Sequence, residues 1–175
     1  MSDRSPSVQI GVVMGVSGSG KTTVGEIIAE RLGWTFAEGD SLHPPENVAK
    51  MASGHALDDA DRWPWLQRVR DWIDEQVAAG RSGVVTCSAL KRSYRDLLSK
   101  DRPEVVFVHL VGTAEQITER LVPRHGHFMP AALLDSQFHD LQPLGPDENG
   151  IEVDVAGTAE SIADSAVRQL TALQH

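Results

Sequence analysis

The stretch VQIGVVMGVSGSGKTT, Val8 to Thr23, reads as a buried strand running straight into a glycine loop. Beyond the loop Val24, Ile27, Ile28 and Leu32 recur at helical spacing, so the order is strand, loop, helix. Inside it GVSGSGKT, Gly15 to Thr22, fits G-x-x-x-x-G-K-[ST]. In that motif successive backbone N–H groups surround phosphate oxygens, the lysine reaches the β and γ phosphates, and the last hydroxyl ligates Mg2+. Gly15, Ser17, Gly18, Ser19, Gly20, Lys21, Thr22 and Thr23 are therefore the candidate nucleotide-binding residues, with Lys21 also a catalytic candidate and Thr22 the candidate metal ligand.

Outward from this unit the chain alternates strand and helix signals. Gly33 stops the first helix, and WTFA is a short apolar segment ending at Glu38 and Asp40. Pro44 and Pro45 suit the first turn of a short helix that Gly54 ends. Trp65, Leu66, Val69, Trp72, Ile73 and Val77 form the apolar stripe of a longer helix, closed by Gly80. GVVTC and VVFVHL are uninterrupted apolar runs, as strands buried on both faces require, with SALKRSYRDLLSK as a helical crossover between them. Ala114, Ile117 and Leu121 mark another helix, IEVDV alternates like an edge strand, and Ile162, Ala166, Val167, Leu170 and Leu173 line a last amphipathic helix. The sum predicts a three-layer α/β fold with a five-stranded parallel sheet flanked by helices, in one domain over residues 1–175. In such sheets chemistry collects at the carboxyl ends of the strands.

Composition limits the partners. With 16 basic and 25 acidic residues the net charge is −9, which opposes sequence-independent binding to nucleic acid or to an anionic membrane. The lone cysteine, Cys87, cannot form an internal disulfide, so a reducing compartment, the cytoplasm, is expected.

The glycine loop supplies a nucleotide but not a reaction, since ATPases, GTP switches and small-molecule kinases share it. The guanine-reading Asn-Lys-x-Asp is absent, and DENG, Asp147 to Gly150, precedes the last strand and reads as a turn. GVVTC does not end in the acid that a mechanical ATPase sets beside its metal. Glu38 and Asp40, past the neighbouring strand, are the nearest substitutes: Asp40 to accept or orient the proton of an attacking hydroxyl, Glu38 to hold a metal-bound water. Lys91, Arg92 and Arg95 form a candidate anion site after the third strand. Arg120 and Arg124, in ERLVPRHGHFMP, are candidates for cations brought to the transferring phosphoryl by a closing segment. His125 and His127 lack the further ligands of a zinc site. Trp65 falls on the core stripe, Trp63 does not, and His43 is placed to bond a polyol hydroxyl.

Taken together, GDSLHPPENVAKMASGHALDDADRWPWL, CSALKRSYRDLL, RHGHF and SQF resemble the gluconate kinase family of P-loop kinases, over about Ile10 to Leu170. The resemblance implies ATP-dependent phosphorylation of D-gluconate at its 6-hydroxyl, with Mg2+ as cofactor and a homodimer as the expected assembly. It places Asp40 and His43 in the sugar-acid site within an acceptor region of about 40–66, and Lys91 or Arg95 on the substrate carboxylate. A lid is implied over about 124–138, with Arg120 and Arg124 near the phosphates and Arg124 also touching substrate. Gln142 departs from the glutamate common in that family, outside the motifs that carry chemistry. A kinase of another small acceptor, such as shikimate or a nucleoside monophosphate, and a non-catalytic ATP-binding module are the rival readings.

Overall fold

Strands that read as continuous apolar runs need cover on both faces, and the fold provides it. The computed structural model describes residues 8–16, 19–55, 57–113, 115–117 and 137–173. Five strands, β1 (Ile10–Met14), β2 (Thr35–Glu38), β3 (Gly83–Thr86), β4 (Val105–Val111) and β5 (Gly150–Asp154), pair in parallel in the order β2-β3-β1-β4-β5. Five helices are described with them: α1 (Lys21–Leu32), α2 (Pro45–Ala52), α3 (Asp59–Ala78), α4 (Arg92–Ser99) and α5 (Ala159–Ala172).

Alternate strand residues divide between two cores. Val13, Val84, Val106, Val108 and Val153 pack against Val24 and Ile28 of α1 and Ile162, Ala166 and Leu170 of α5. Ile10, Val12, Met14, Val85 and Phe107 face Trp65, Leu66, Val69 and Ile73 of α3 and Tyr94 and Leu98 of α4. β5 is an edge strand, with Val153 buried between exposed Glu152 and Asp154, as its alternating sequence predicts. Leu173 departs from expectation: it caps α5 and stands 49% exposed.

Local signals set the ends of the elements. α3 opens with a reciprocal capping box in which the Asp58 side chain accepts from the Asp61 N–H and Asp61 returns the bond to the Asp58 N–H. α5 opens the same way with Thr158 and Ser161. DENG lies in the turn before β5. Of the helix expected around Ala114 to Leu121, residues 115–117 are helical, while Ala114 and Leu121 lie outside the described residues. So do Ser17, Gly18, Arg120, Arg124, His125, His127 and the expected lid up to residue 136.

β1 sits at the centre because the chain moves outward to β2 on one side, returns through β3 and then crosses to β4 on the other. The carboxyl ends of β1 and β3 thus flank a topological switch point, where such sheets bind ligands.

Candidate active site

The glycine loop leaves β1 at Gly15, whose N–H donates to Ser88 O at 3.3 Å and ties the loop to the exit of β3. Gly15 has φ +146, and a Cβ there would stand 3.0 Å from both Leu110 O and Ser19 Oγ. The buried Ser19 hydroxyl donates to Val16 O at 2.8 Å, so it shapes the loop instead of facing outward. Lys21 Nζ donates to Gly15 O at 3.1 Å and Val16 O at 3.0 Å, across the mouth of the loop. Burial pushes its ammonium below the usual lysine range, while the nearby charges of Asp40 and Glu38 work against that shift.

Thr22, on the exposed start of α1, donates its hydroxyl to Glu38 Oε2 at 2.5 Å. Glu38 Oε1 accepts from the Thr86 hydroxyl. Among the described residues no three His, Cys, Asp or Glu side chains gather as a cation cage. A hydroxyl beside a carboxylate at a phosphate loop is a hard-oxygen donor set, which fits Mg2+ because that ion keeps waters and takes phosphate oxygens as ligands.

After Glu38 the chain turns through one 3₁₀ turn, Gly39–Leu42, which carries Asp40 to the surface at the end of the sheet. The turn is pinned at Gly39: its N–H donates to Thr86 Oγ1 at 3.0 Å, and its carbonyl accepts from Trp65 Nε1 at 2.8 Å. The charge of Asp40 is felt by both Lys21 and His43, so the 3₁₀ turn and the phosphate loop lie near each other.

His43 stacks on Trp65 with ring centroids 4.1 Å apart and planes 16° from parallel. Asn47 Nδ2 lies 3.2 Å from His43 Nδ1 and 2.8 Å from Asp61 O. The amide therefore donates to both, and the neutral imidazole carries its proton on Nε2. Lys50, one turn on, bonds Asp61 at 2.6 Å and fastens α2 to the start of α3.

The basic residues divide sharply. Arg95, expected as an anion ligand, is 1% exposed, pairs with Glu148 and donates to the carbonyls of Ala89, Leu90 and Pro143. On the buried face of α4 it braces that helix against the turn before β5. Arg92 is half-buried and engaged by Asp96 and Asp147. Lys91 remains at the site's edge, its Nζ 3.0 Å from Asp59 Oδ1 and 5.7 Å from the Tyr94 ring centre.

Arg62 was not among the sequence candidates, although it occupies the buried stripe of α3 one turn before Trp65 and Leu66. Its guanidinium NH1 donates to Tyr94 Oη at 3.0 Å and stands 3.5 Å from Asp140. Tyr94 in turn donates to Asp59. The Arg62 charge helps to lower the pKa of His43, so it lies near the 3₁₀ turn. Trp63, 39% exposed, meets Tyr94 edge-on at 5.5 Å. The signal that marks Arg62 is an arginine at a position where the helix period demands an apolar residue.

A phosphate loop at the central strand, a carboxylate beside its threonine, and a histidine and arginine beyond a second acid define a small-molecule kinase of the P-loop class. The shikimate kinase family model matches residues 17–143. The gluconokinase of Gluconobacter oxydans (strain 621H) is 51% identical over 161 residues, covering 92% of this chain and 90% of that one. A crystal structure of a gluconokinase from Sinorhizobium meliloti 1021 superposes with a TM-score of 0.86 at 46% identity, covering 98% of this chain and 95% of that one. A sugar kinase from Janibacter sp. HTCC2649 superposes at 0.88 with 49% identity over 94% and 95% of the two chains. This chain belongs to the gluconokinase family.

Proposed function

We propose that this protein transfers the γ-phosphoryl group of ATP to the 6-hydroxyl of D-gluconate, giving 6-phosphogluconate and ADP. The observation that supports the reading is the glycine loop at the end of β1, with Lys21 Nζ bonded across its mouth and the Thr22 hydroxyl paired with the Glu38 carboxylate beside it. The acceptor oxygen forms a bond to the γ phosphorus as the bond to the β-bridging oxygen breaks, and ADP leaves with that electron pair. Asp40 accepts a hydrogen bond from the attacking hydroxyl and takes its proton as the bond to phosphorus forms. Lys21 neutralises charge on the β and γ oxygens. His43 offers its Nε2 proton to a neighbouring hydroxyl of the sugar acid. Arg62 and Lys91 are the cations that would meet the carboxylate.

Thr22 and, through its water shell, Glu38 would hold Mg2+, which when bound supplies charge neutralisation on the phosphates. Arg120 and Arg124, at and just before the segment about 124–138, complete the cationic set of this proposal. A homodimer in the cytoplasm is the expected setting.

The test is ADP release with ATP and Mg2+ over a panel of gluconate, shikimate, other sugar acids and nucleoside monophosphates. Release that depends on gluconate alone supports the reading. Release with a different acceptor moves the assignment to it, and acceptor-independent release overturns the kinase proposal.

A further inference from the structure

β3 ends at Thr86, beside the end of the apolar run where a mechanical ATPase carries its metal-facing acid. Thr86 is 1% exposed, so its hydroxyl meets little competition from water. The hydroxyl is used twice: it donates to Glu38 Oε1 and accepts the Gly39 N–H at 3.0 Å. β2 and β3 run in parallel with Glu38 and Thr86 in register, which brings the two side chains together at the sheet's carboxyl end. The second oxygen of Glu38 takes the Thr22 hydroxyl at 2.5 Å. The neighbouring strand thus brings an acid to this end of the sheet, gripped by the last residue of β3.

We propose that Thr86 is a positioning residue for phosphoryl transfer: its hydroxyl fixes the Glu38 carboxylate against Thr22, at the metal end of the phosphate site. The proposal rests on the kinase reading given above. A carboxylate with one hydroxyl donor on each oxygen cannot swing about its terminal bond without losing one of them. Each oxygen keeps a further lone-pair direction for a water of a hydrated cation. Partners that orient a metal-facing group in this way are worth roughly 10–100-fold in metal affinity. The hydroxyl, not the volume, is the required feature, so Thr86→Val removes the function and Thr86→Ser retains it.

The experiment uses the full chain loaded with ADP and Mn2+ as the probe, with free Mn2+ followed by its paramagnetic resonance signal. T86V is expected to weaken Mn2+ binding about tenfold, with metal-free ADP affinity unchanged and with T86S close to wild type. Glu38→Gln serves as the reference. Wild-type Mn2+ affinity in T86V, with E38Q weakened, overturns the role of Thr86 and leaves the acid in place. Wild-type affinity in both removes Glu38 from the metal and overturns the proposal at its root, while gluconate-dependent ADP release by the unaltered protein still tests the kinase reading on its own. If T86V does not fold, Thr86→Cys, a weak donor of similar size, carries the test. Undiminished Mn2+ affinity in T86C overturns the proposal.

Discussion

Arg95 donates through Nε to Glu148 Oε2 at 2.6 Å, with the two side chains only 1% and 5% exposed. Three backbone carbonyls take its remaining bonds, and Glu148 Oε1 accepts both from Arg95 and from the Gly145 N–H. The pair joins α4 to the turn before β5. Breaking a buried ion pair by removing one partner leaves an uncompensated charge and costs about 3–5 kcal/mol. Glu148→Gln is therefore expected to lower the melting temperature by roughly 10 °C, given about 2–4 °C per kcal/mol at this size. The gluconate KM, measured well below that transition, should stay within about twofold of wild type. Circular dichroism melts with steady-state kinetics decide it, and a raised KM at unchanged stability would return Arg95 to the acceptor site.

Arg62 and Lys91 have different surroundings and should differ in weight. Lys91 is partly exposed and already met by the Asp59 carboxylate, so its attraction for a further anion is screened and shared. Arg62 is buried, with the neutral Tyr94 hydroxyl as its hydrogen-bond acceptor and Asp140 3.5 Å away. Losing a charge-assisted bond to a desolvated carboxylate costs about 2–5 kcal/mol. Arg62→Met is expected to raise the gluconate KM at least thirtyfold, and Lys91→Met by less than tenfold, with the ATP KM little changed in either. Equal effects of the two variants, or an effect of R62M on ATP instead, would remove Arg62 from the acceptor carboxylate.

What the sequence disclosed and what it hid follow from the range of the interactions. The glycine loop, the five strands and the stripe of α3 are local patterns, and each lies where its period placed it. Arg95 is different, because Glu148 lies 53 positions further along the chain, and a basic residue at helical spacing looks the same whether its partner is solvent, substrate or a distant acid. Thr86 is hidden for the same reason: a hydroxyl at the end of an apolar run acquires meaning only when β2 is laid beside β3. Arg62 was legible in principle, as a charge on an apolar stripe, but the surrounding acids gave it the look of a solvated helix start.

Gly39 is required by closeness, not by backbone conformation. A Cβ built on it would stand 1.7 Å from Thr86 O and 2.9 Å from the carbonyl carbon. Both are backbone atoms of a central strand and have nowhere to go. The 3₁₀ turn would have to lift, carrying Asp40 away from the phosphate loop and releasing the bond from Trp65 Nε1 to the Gly39 carbonyl. Misplacement by about 1 Å of a reacting group costs on the order of 100-fold in rate. Gly39→Ala is expected to reduce kcat by at least that factor while ATP affinity, set by the loop on β1, changes little. Turnover within a few-fold of wild type would show that the turn is not what positions the acceptor.

His43 and His109 are buried, and burial lowers the pKa of each imidazole from the ordinary 6.5. For His43 the Arg62 charge acts in the same direction and Asp40 opposes it; for His109 Arg95 adds and Glu152 opposes. The unfolded chain therefore takes up protons at these positions near pH 6.5, while the folded chain does so only at lower pH. Below about pH 6.5 the unfolded state binds more protons, so stability is full above that value and falls as the solution is acidified. The slope reaches about 1.4 kcal/mol per pH unit for each histidine until the folded imidazole titrates. Carboxylates held below their ordinary range, such as Asp147 by its bond to Arg92, act in a lower window, as the pH falls through their folded pKa. Urea titrations at pH 5.5, 6, 7 and 8 should show little change between 7 and 8 and a loss from 6.5 downward, and His43→Gln should roughly halve the histidine part of that slope. An identical slope in H43Q would mean that the His43 imidazole accepts its proton as readily in the folded protein as in the unfolded chain, and that Asn47 does not hold Nδ1 as an acceptor.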